Sequence, residues 1–263
     1  MSYVIETPGG ELVVIDGGFK GDGDYLMNFL SSKGGKVTAW IITHPHVDHV
    51  GAFLYYLGAE DKQGIEVEQV YYSPFTSAFF REEEEGKDLQ KVNEYMLFDE
   101  FEAARADHTE ITFTPMLAGD ELEIAGIQIR CLHSFDPTIF DVNSNSLVMN
   151  LDIKGYKILI TGDLTDGTIN RIVSRFGEGS EYWQANCLQA PHHGFGGNSD
   201  WIFRLAKPEL VTMDLSLHQY YDRDEEGNLG GGNLGTQEMV NYLEEEAIPV
   251  LKSFYGPNVI VID

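Results

Sequence analysis

Apolar residues in this chain fall in short runs, punctuated by Gly, Asp and Asn, and the period of the runs switches between two and about 3.6. Leu12 to Ile15 reads as a buried strand stopped by the turn signal Asp16-Gly17-Gly18. Asp24 to Ser32 has the spacing of a short amphipathic helix. Val37 to Thr43 predicts a second strand, which runs directly into His44-Pro-His-Val-Asp-His49. A helix is expected from Val50 to Leu57 and a strand from Val67 to Tyr72. Residues 76 to 108 carry Leu89, Val92, Tyr95, Met96 and Phe101 at helical spacing in a background of Glu, Lys and Ala, which predicts a helical insertion.

Strands then return at Ile111 to Phe113, Glu121 to Ile124, Ile127 to Leu132, Ser146 to Ile153 and Lys157 to Thr161, with turns at Gly119-Asp120, Ala125-Gly126 and Lys154-Gly155. A helix at Thr168 to Phe176, a strand at Cys187 to Gln189 and a helix at Ser199 to Leu205 follow. The remaining expectations are a strand at Leu210 to Met213, a helix at Thr236 to Glu246, and strands at Val250 to Ser253 and Val259 to Ile262. Two groups of strands with helices dispersed among them predict a layered α/β protein with two mixed sheets and polar clusters at strand ends. With 263 residues, 43% of them hydrophobic, and neither a repeat nor a long linker, residues 1–263 are read as one domain.

Composition narrows the partners. Acidic residues outnumber basic ones 43 to 17, a formal charge of −26. Such a surface repels a phosphate backbone and attracts divalent cations, so a long nucleic acid is disfavoured and a small anionic substrate is favoured. Much of the charge sits in Glu82 to Glu85 and Asp222 to Glu226, runs expected to be solvated. No uninterrupted apolar stretch of about 18 residues exists to span a membrane. The first residues show strand-like alternation rather than a leader pattern, so a cytoplasmic location is the expectation. Cys131 and Cys187 are too few for a disulfide framework and are expected to be reduced core residues.

Chemistry concentrates in three places. Thr43 to His49 sets three imidazoles and a carboxylate on the loop after a strand, and these are the donors preferred by zinc, manganese and iron. His44 and His46 alternate on the extended segment and can face one metal, while Asp48 and His49 begin the next turn and can face a second. Five of the eight histidines lie in two tight clusters, which chance placement on a surface does not explain. Ile158 to Ile160 is an apolar strand leading to Thr161-Gly162-Asp163, which puts a carboxylate at a strand's C-terminal edge, where one residue can bridge two metals about 3.5–4 Å apart. In Ala190-Pro191-His192-His193-Gly194 adjacent side chains diverge, so one imidazole can face metal while the other orients a group or donates a proton. His218, alone after another strand, is a weaker candidate ligand.

With these motifs in hand, the chain resembles the metallo-β-lactamase superfamily, and within it the hydrolase domain of bacterial competence (DNA-uptake) ComEC proteins. The likeness covers nearly the whole chain. It includes Val14 to Gly18, Thr43 to His49, Asn143 to Val148, Thr161 to Asp163, Pro191 to Gly194, Tyr255-Gly256 and Val259 to Ile262. It implies an αββα sandwich of two mixed sheets with two divalent metal ions at one edge, zinc first and manganese or iron as alternatives. His44 and His46 would bind the first metal, Asp48 and His49 the second, and Asp163 would bridge them. His218 would complete the second site and His192 or His193 would donate a proton; a competing mapping gives the last ligand to His192. The family's third histidine for the first metal is missing from Asp141-Val-Asn-Ser-Asn145, so Asp141, Asn143, His133 or water would take that place.

The implied reaction is hydrolysis by a water whose pKa the two metals lower, with Asp48 holding the resulting hydroxide in line and His192 or His193 protonating the leaving oxygen. A small phosphodiester is the first expectation. Alternatives are a lactone, thioester or lactam, a di-iron redox centre (for which no electron-accepting extension is seen), and a binding protein with a degenerate site. The fold does not choose among them, and the sequence does not set the oligomeric state.

Overall fold

The computed structural model describes residues 1–79, 96–196, 200–224, 226–232 and 234–263. Its contacts divide the chain into two compact units, one of Met1–Ala118, Glu123–Gly126 and Ser134–Leu147, the other of Gly119–Leu122, Ile127–His133 and Val148–Asp263.

The first unit holds a mixed sheet of β1 (Ser2–Glu6), β2 (Leu12–Asp16), β3 (Lys36–Ile42), β4 (Glu66–Val67), β5 (Gln69–Tyr72) and β6 (Thr112–Pro115). The order is β1-β2-β3-β5-β6, with β4 also on β3, and every pairing but β1–β2 is parallel. All five residues of β2 are buried, and Leu12 to Ile15 form the continuous apolar run expected of a strand covered on both faces. Helices α1 (Gly23–Ser32), α2 (Val47–Gly58) and α3 (Phe98–Asp107) supply Leu26, Leu30, Phe53, Leu57 and Phe101 to a core shared with Leu12, Val14, Trp40 and Val70. Of the expected insertion over 76–108, α3 is seen and residues 80–95 lie outside the described residues.

The second unit holds a seven-stranded sheet in the order β13-β12-β11-β10-β9-β8-β7. These are Val250–Lys252, Leu210–Met213, Cys187–Gln189, Tyr156–Ile160, Val148–Ile153, Ile127–His133 and Glu121–Ile124. Strands β10 to β13 pair in parallel, while β10–β9 and β9–β8 are antiparallel. Helices α4 (Asp166–Phe176), α5 (Trp201–Ala206), α6 (Leu217–Tyr221) and α7 (Thr236–Glu245) join this unit's own core through Ile169, Ile172, Ile202, Phe203, Tyr220 and Leu243. The chain thus has two mixed sheets flanked by helices, as the periodicity predicts.

Two expectations need revision. Helix α2 starts at Val47 rather than Val50, because His46 keeps an extended backbone (φ −71°, ψ 152°) and the Asp48 carboxylate in the first turn favours helix initiation. The strand expected at Val259 to Ile262 does not form, and Val259 and Val261 are 81% and 78% exposed. Their β-branched side chains favour a strand only where a neighbour completes the ladder. Here the segment follows Gly256 (φ 118°) and Pro257, which has no N–H to pair.

Candidate metal centre

In the first unit, parallel strands β2 and β3 end side by side and deliver Asp16 and Thr43-His44 at their C-terminal edge. The loop to α2 is braced from outside: Leu147 N–H donates to Thr43 O at 2.9 Å and Leu97 N–H to Pro45 O at 2.8 Å. His46 also forms an antiparallel bridge with Met96. Helix α2 can lie close because its fifth residue, Gly51, is a glycine. A Cβ on Gly51 would stand 2.5 Å from Lys20 N and 2.9 Å from Gly18 O.

His44 is 1% exposed. Its Nδ1 lies 3.1 Å from Thr43 Oγ1 and 3.2 Å from Ser146 Oγ, and its Nε2 lies 3.0 Å from His46 Nδ1. Two imidazole nitrogens bound to one tetrahedral zinc at about 2.0–2.1 Å would stand about 3.3 Å apart, so this pair fits a shared cation. His49, fully buried, has Nδ1 2.7 Å from Asp16 Oδ2 and Nε2 3.7 Å from Asp48 Oδ2. The Nδ1 contact to a carboxylate fixes the ring and directs Nε2 outward, the second-shell arrangement of metal-binding histidines. Both pairs belong to groups whose donor atoms could hold an ion.

The second unit carries candidate residues of its own at two strand ends. After β10, Gly162 takes φ 54° and turns Asp163 inward, where it is 2% exposed. After β11, His192 and His193 both adopt positive φ (50° and 58°), an uncommon backbone for non-glycine residues that points adjacent rings apart. Asp163 Oδ2 lies 3.7 Å from His192 Nε2 and Oδ1 lies 3.6 Å from His193 Nε2. Both distances exceed hydrogen-bond reach. His193 is held from behind, with Nδ1 2.9 Å from Asp214 O.

Two buried residues organise these loops and went unnoticed in the sequence. Asp16 accepts hydrogen bonds from Thr43 N–H at 2.8 Å and Thr43 Oγ1 at 2.6 Å besides its contact to His49. Its signal is a carboxylate closing an apolar strand within the Val14 to Gly18 motif, where the sequence reads it as a turn and assigns it no site role. Gln189 accepts from Thr161 N–H at 2.8 Å and donates to Gly162 O at 3.0 Å and Ala190 O at 2.8 Å. It thereby ties the Gly-Asp turn to the His-His turn. As a lone polar residue in a three-residue strand it carried no pattern.

Asp141, His133 and His218 have the following surroundings. The Asp141 carboxylate accepts from Ser144 N–H and Oγ and so anchors its own loop. His133 is buried at the end of β8, where its carbonyl accepts from Cys131 Sγ. His218 is exposed in the first turn of α6. Both cysteines are free and buried. Burial pushes the Cys131 and Cys187 thiols up to about 12, which keeps them protonated at neutral pH. No helix among the described residues is long and apolar enough to cross a membrane.

Comparison with known proteins places this geometry. The family model for the metallo-beta-lactamase superfamily matches residues 1–194. ComE operon protein 3 of Bacillus subtilis (strain 168) is 27% identical over 230 residues, which cover 87% of this chain and 25% of that protein. The chain therefore spans about a quarter of this relative's length. Among solved structures, the metal-dependent hydrolase of the beta-lactamase superfamily Tm1679 aligns with TM-score 0.55 and 14% identity, covering 95% of this chain and 89% of its own. The metallo-beta-lactamase fold protein YhfI from Bacillus subtilis aligns with TM-score 0.51 and 12% identity, covering 96% and 88%. With its histidine loop, Gly-Asp turn and His-His turn inside the matched region, the chain belongs to the metallo-beta-lactamase superfamily and has the fold of its metal-dependent hydrolases.

Proposed function

We propose that this chain hydrolyses a small phosphodiester with two divalent metal ions. The observation that carries the reading is the donor pairing: His44 faces His46, His49 faces Asp48, and the two oxygens of Asp163 face different imidazoles. In this reading His44 and His46 would hold the first ion, Asp48 and His49 the second, and Asp163 would be shared by both. His193 serves the second ion, because the Asp214 carbonyl fixes its Nδ1 and leaves Nε2 on the Asp163 side. His218, exposed on α6, is assigned no ligand role.

When bound, such ions lower the pKa of a water and neutralise charge on a phosphoryl group. The protein's own part is to position and to move protons. Asp16 and Thr43 hold the His49 ring, and Asp48 aligns the attacking water. His192, the more exposed of the adjacent imidazoles, protonates the leaving oxygen. A small phosphodiester brings one or two negative charges to the site, whereas a long polynucleotide would meet a surface of net charge −26. A single, short substrate fits that balance best.

The test is turnover of bis-nitrophenyl phosphate, an alkyl phosphodiester, a thioester and plasmid DNA under one zinc or manganese condition. The reading expects the diesters to be cleaved and DNA to be a poor substrate. His192→Ala should slow the alkyl diester far more than the nitrophenyl one, since nitrophenolate leaves without a proton. Fast thioester turnover with no phosphodiester cleavage overturns the substrate assignment.

A further inference from the structure

We propose that Phe140, stacked on Phe79, is a specificity-determining shelf that takes a flat aromatic ring of the substrate, a nucleobase or an aryl group. This rests on the phosphodiesterase reading above and adds the chemistry of the group attached to phosphorus. The Phe79 and Phe140 rings are parallel within 10° with centroids 5.0 Å apart, and Phe135 closes on Phe79 edge-to-face at 4.9 Å. Phe140 nevertheless remains 51% exposed. A planar apolar face held in water is where a second ring would stack.

The loop ties this shelf to the histidines. Phe135 N–H donates to Ser73 Oγ at 2.9 Å, and Ser73 Oγ donates to Asn145 O at 3.0 Å. Asn145 Oδ1 accepts from Asp136 N–H at 2.6 Å, and its Nδ2 donates to Ile139 O at 2.8 Å and Asp141 O at 2.9 Å. Those two carbonyls flank Phe140, so one amide side chain fixes the residue from both sides. Summing bond lengths along this bridge keeps the Phe140 α-carbon within about 10 Å of that of Asn145. The next residue is Ser146, whose Oγ lies 3.2 Å from His44 Nδ1. Every one of these contacts lies within the first unit. The shelf and Ser146, which touches His44, thus belong to one hydrogen-bonded loop, and on this proposal a substrate held at the His44–His46 pair meets the shelf with the part that flanks its phosphate.

The experiment compares wild type, Phe140→Ala and Phe140→Trp, each metal-loaded, with metal content measured on all three. Calorimetric binding of adenosine monophosphate, phenyl phosphate and ribose 5-phosphate is read alongside kcat and KM for a dinucleotide, bis-nitrophenyl phosphate and a dialkyl phosphodiester. Phe140→Ala should weaken the ring-bearing ligands and raise their KM by about tenfold or more. Ribose 5-phosphate binding, the dialkyl substrate, kcat and metal content should change by less than about twofold. Phe140→Trp should restore ring binding. Whichever of adenosine monophosphate and phenyl phosphate loses more identifies the ring. Equal losses for ringed and ringless ligands, or no loss for either, overturn the shelf. Should wild type cleave no phosphodiester yet still lose ring binding on Phe140→Ala, the phosphodiesterase reading fails and the shelf stands.

Discussion

The Asp16 carboxylate lies 2.7 Å from His49 Nδ1 while also accepting two hydrogen bonds from Thr43, the residue that begins the histidine loop. One buried side chain thus fixes both the start of the loop and the orientation of its last imidazole. Asp16→Asn tests this cleanly, because asparagine keeps the size and tolerates the φ of 54° found here. An amide nitrogen cannot accept what the carboxylate accepts, so metal affinity should fall about 10- to 100-fold. A metal titration against a competing chelator reads it. Unchanged affinity would remove Asp16 from the positioning role.

Gln189 makes a parallel case in the second unit. Gln189→Ala should strand the buried Thr161 N–H, since Gly162 C=O still accepts from His192 N–H, and lower stability by about 1–3 kcal/mol. Denaturant unfolding measures the loss. Metal affinity should fall with it, since Asp163 and His192 are neighbours of the groups Gln189 holds. A variant as stable as wild type would show that water replaces the amide.

Gly51→Ala should destabilise the protein by about 1–3 kcal/mol, as overpacking against fixed backbone does. The added methyl meets the main chain of Gly18 to Lys20 rather than a flexible side chain. A thermal melt beside wild type decides it, and an unchanged Tm would mean that α2 can shift without cost.

How much of this was legible from residues alone follows from the physics of each part. The strands that carry the candidate residues were readable because β2, β3, β10 and β11 are apolar runs that stop abruptly at Asp, Thr or Gln. The ligand loops stood out because clustered imidazoles have no structural reason to occur. Asp16 and Gln189 were not legible, since their roles rest on hydrogen bonds between segments far apart in sequence. The Phe79–Phe140 stack was hidden for the same reason, with 60 residues between partners that only the fold brings together. The tail from Val259 misled because strand propensity says nothing about whether a partner strand is present.

The cysteines give an independent check on the second core. Burial, reinforced by Asp120 for Cys131 and Asp214 for Cys187, raises both thiols to about 12. Alkylation of the native protein should therefore be negligible at pH 8, and two thiols per chain should react in denaturant. Reactivity falls outside that pattern only if one of the strands bearing them opens readily.

The central claim is that Asp163 bridges two metal ions, and elemental analysis of wild type against Asp163→Asn, after metal loading and desalting, tests it most directly. Wild type should hold two ions per chain. The variant should lose both together, because a neutral amide is a poor bridge between two cations, while His44→Ala/His46→Ala should remove only the first. Loss of a single ion, or of neither, on Asp163→Asn would contradict the account.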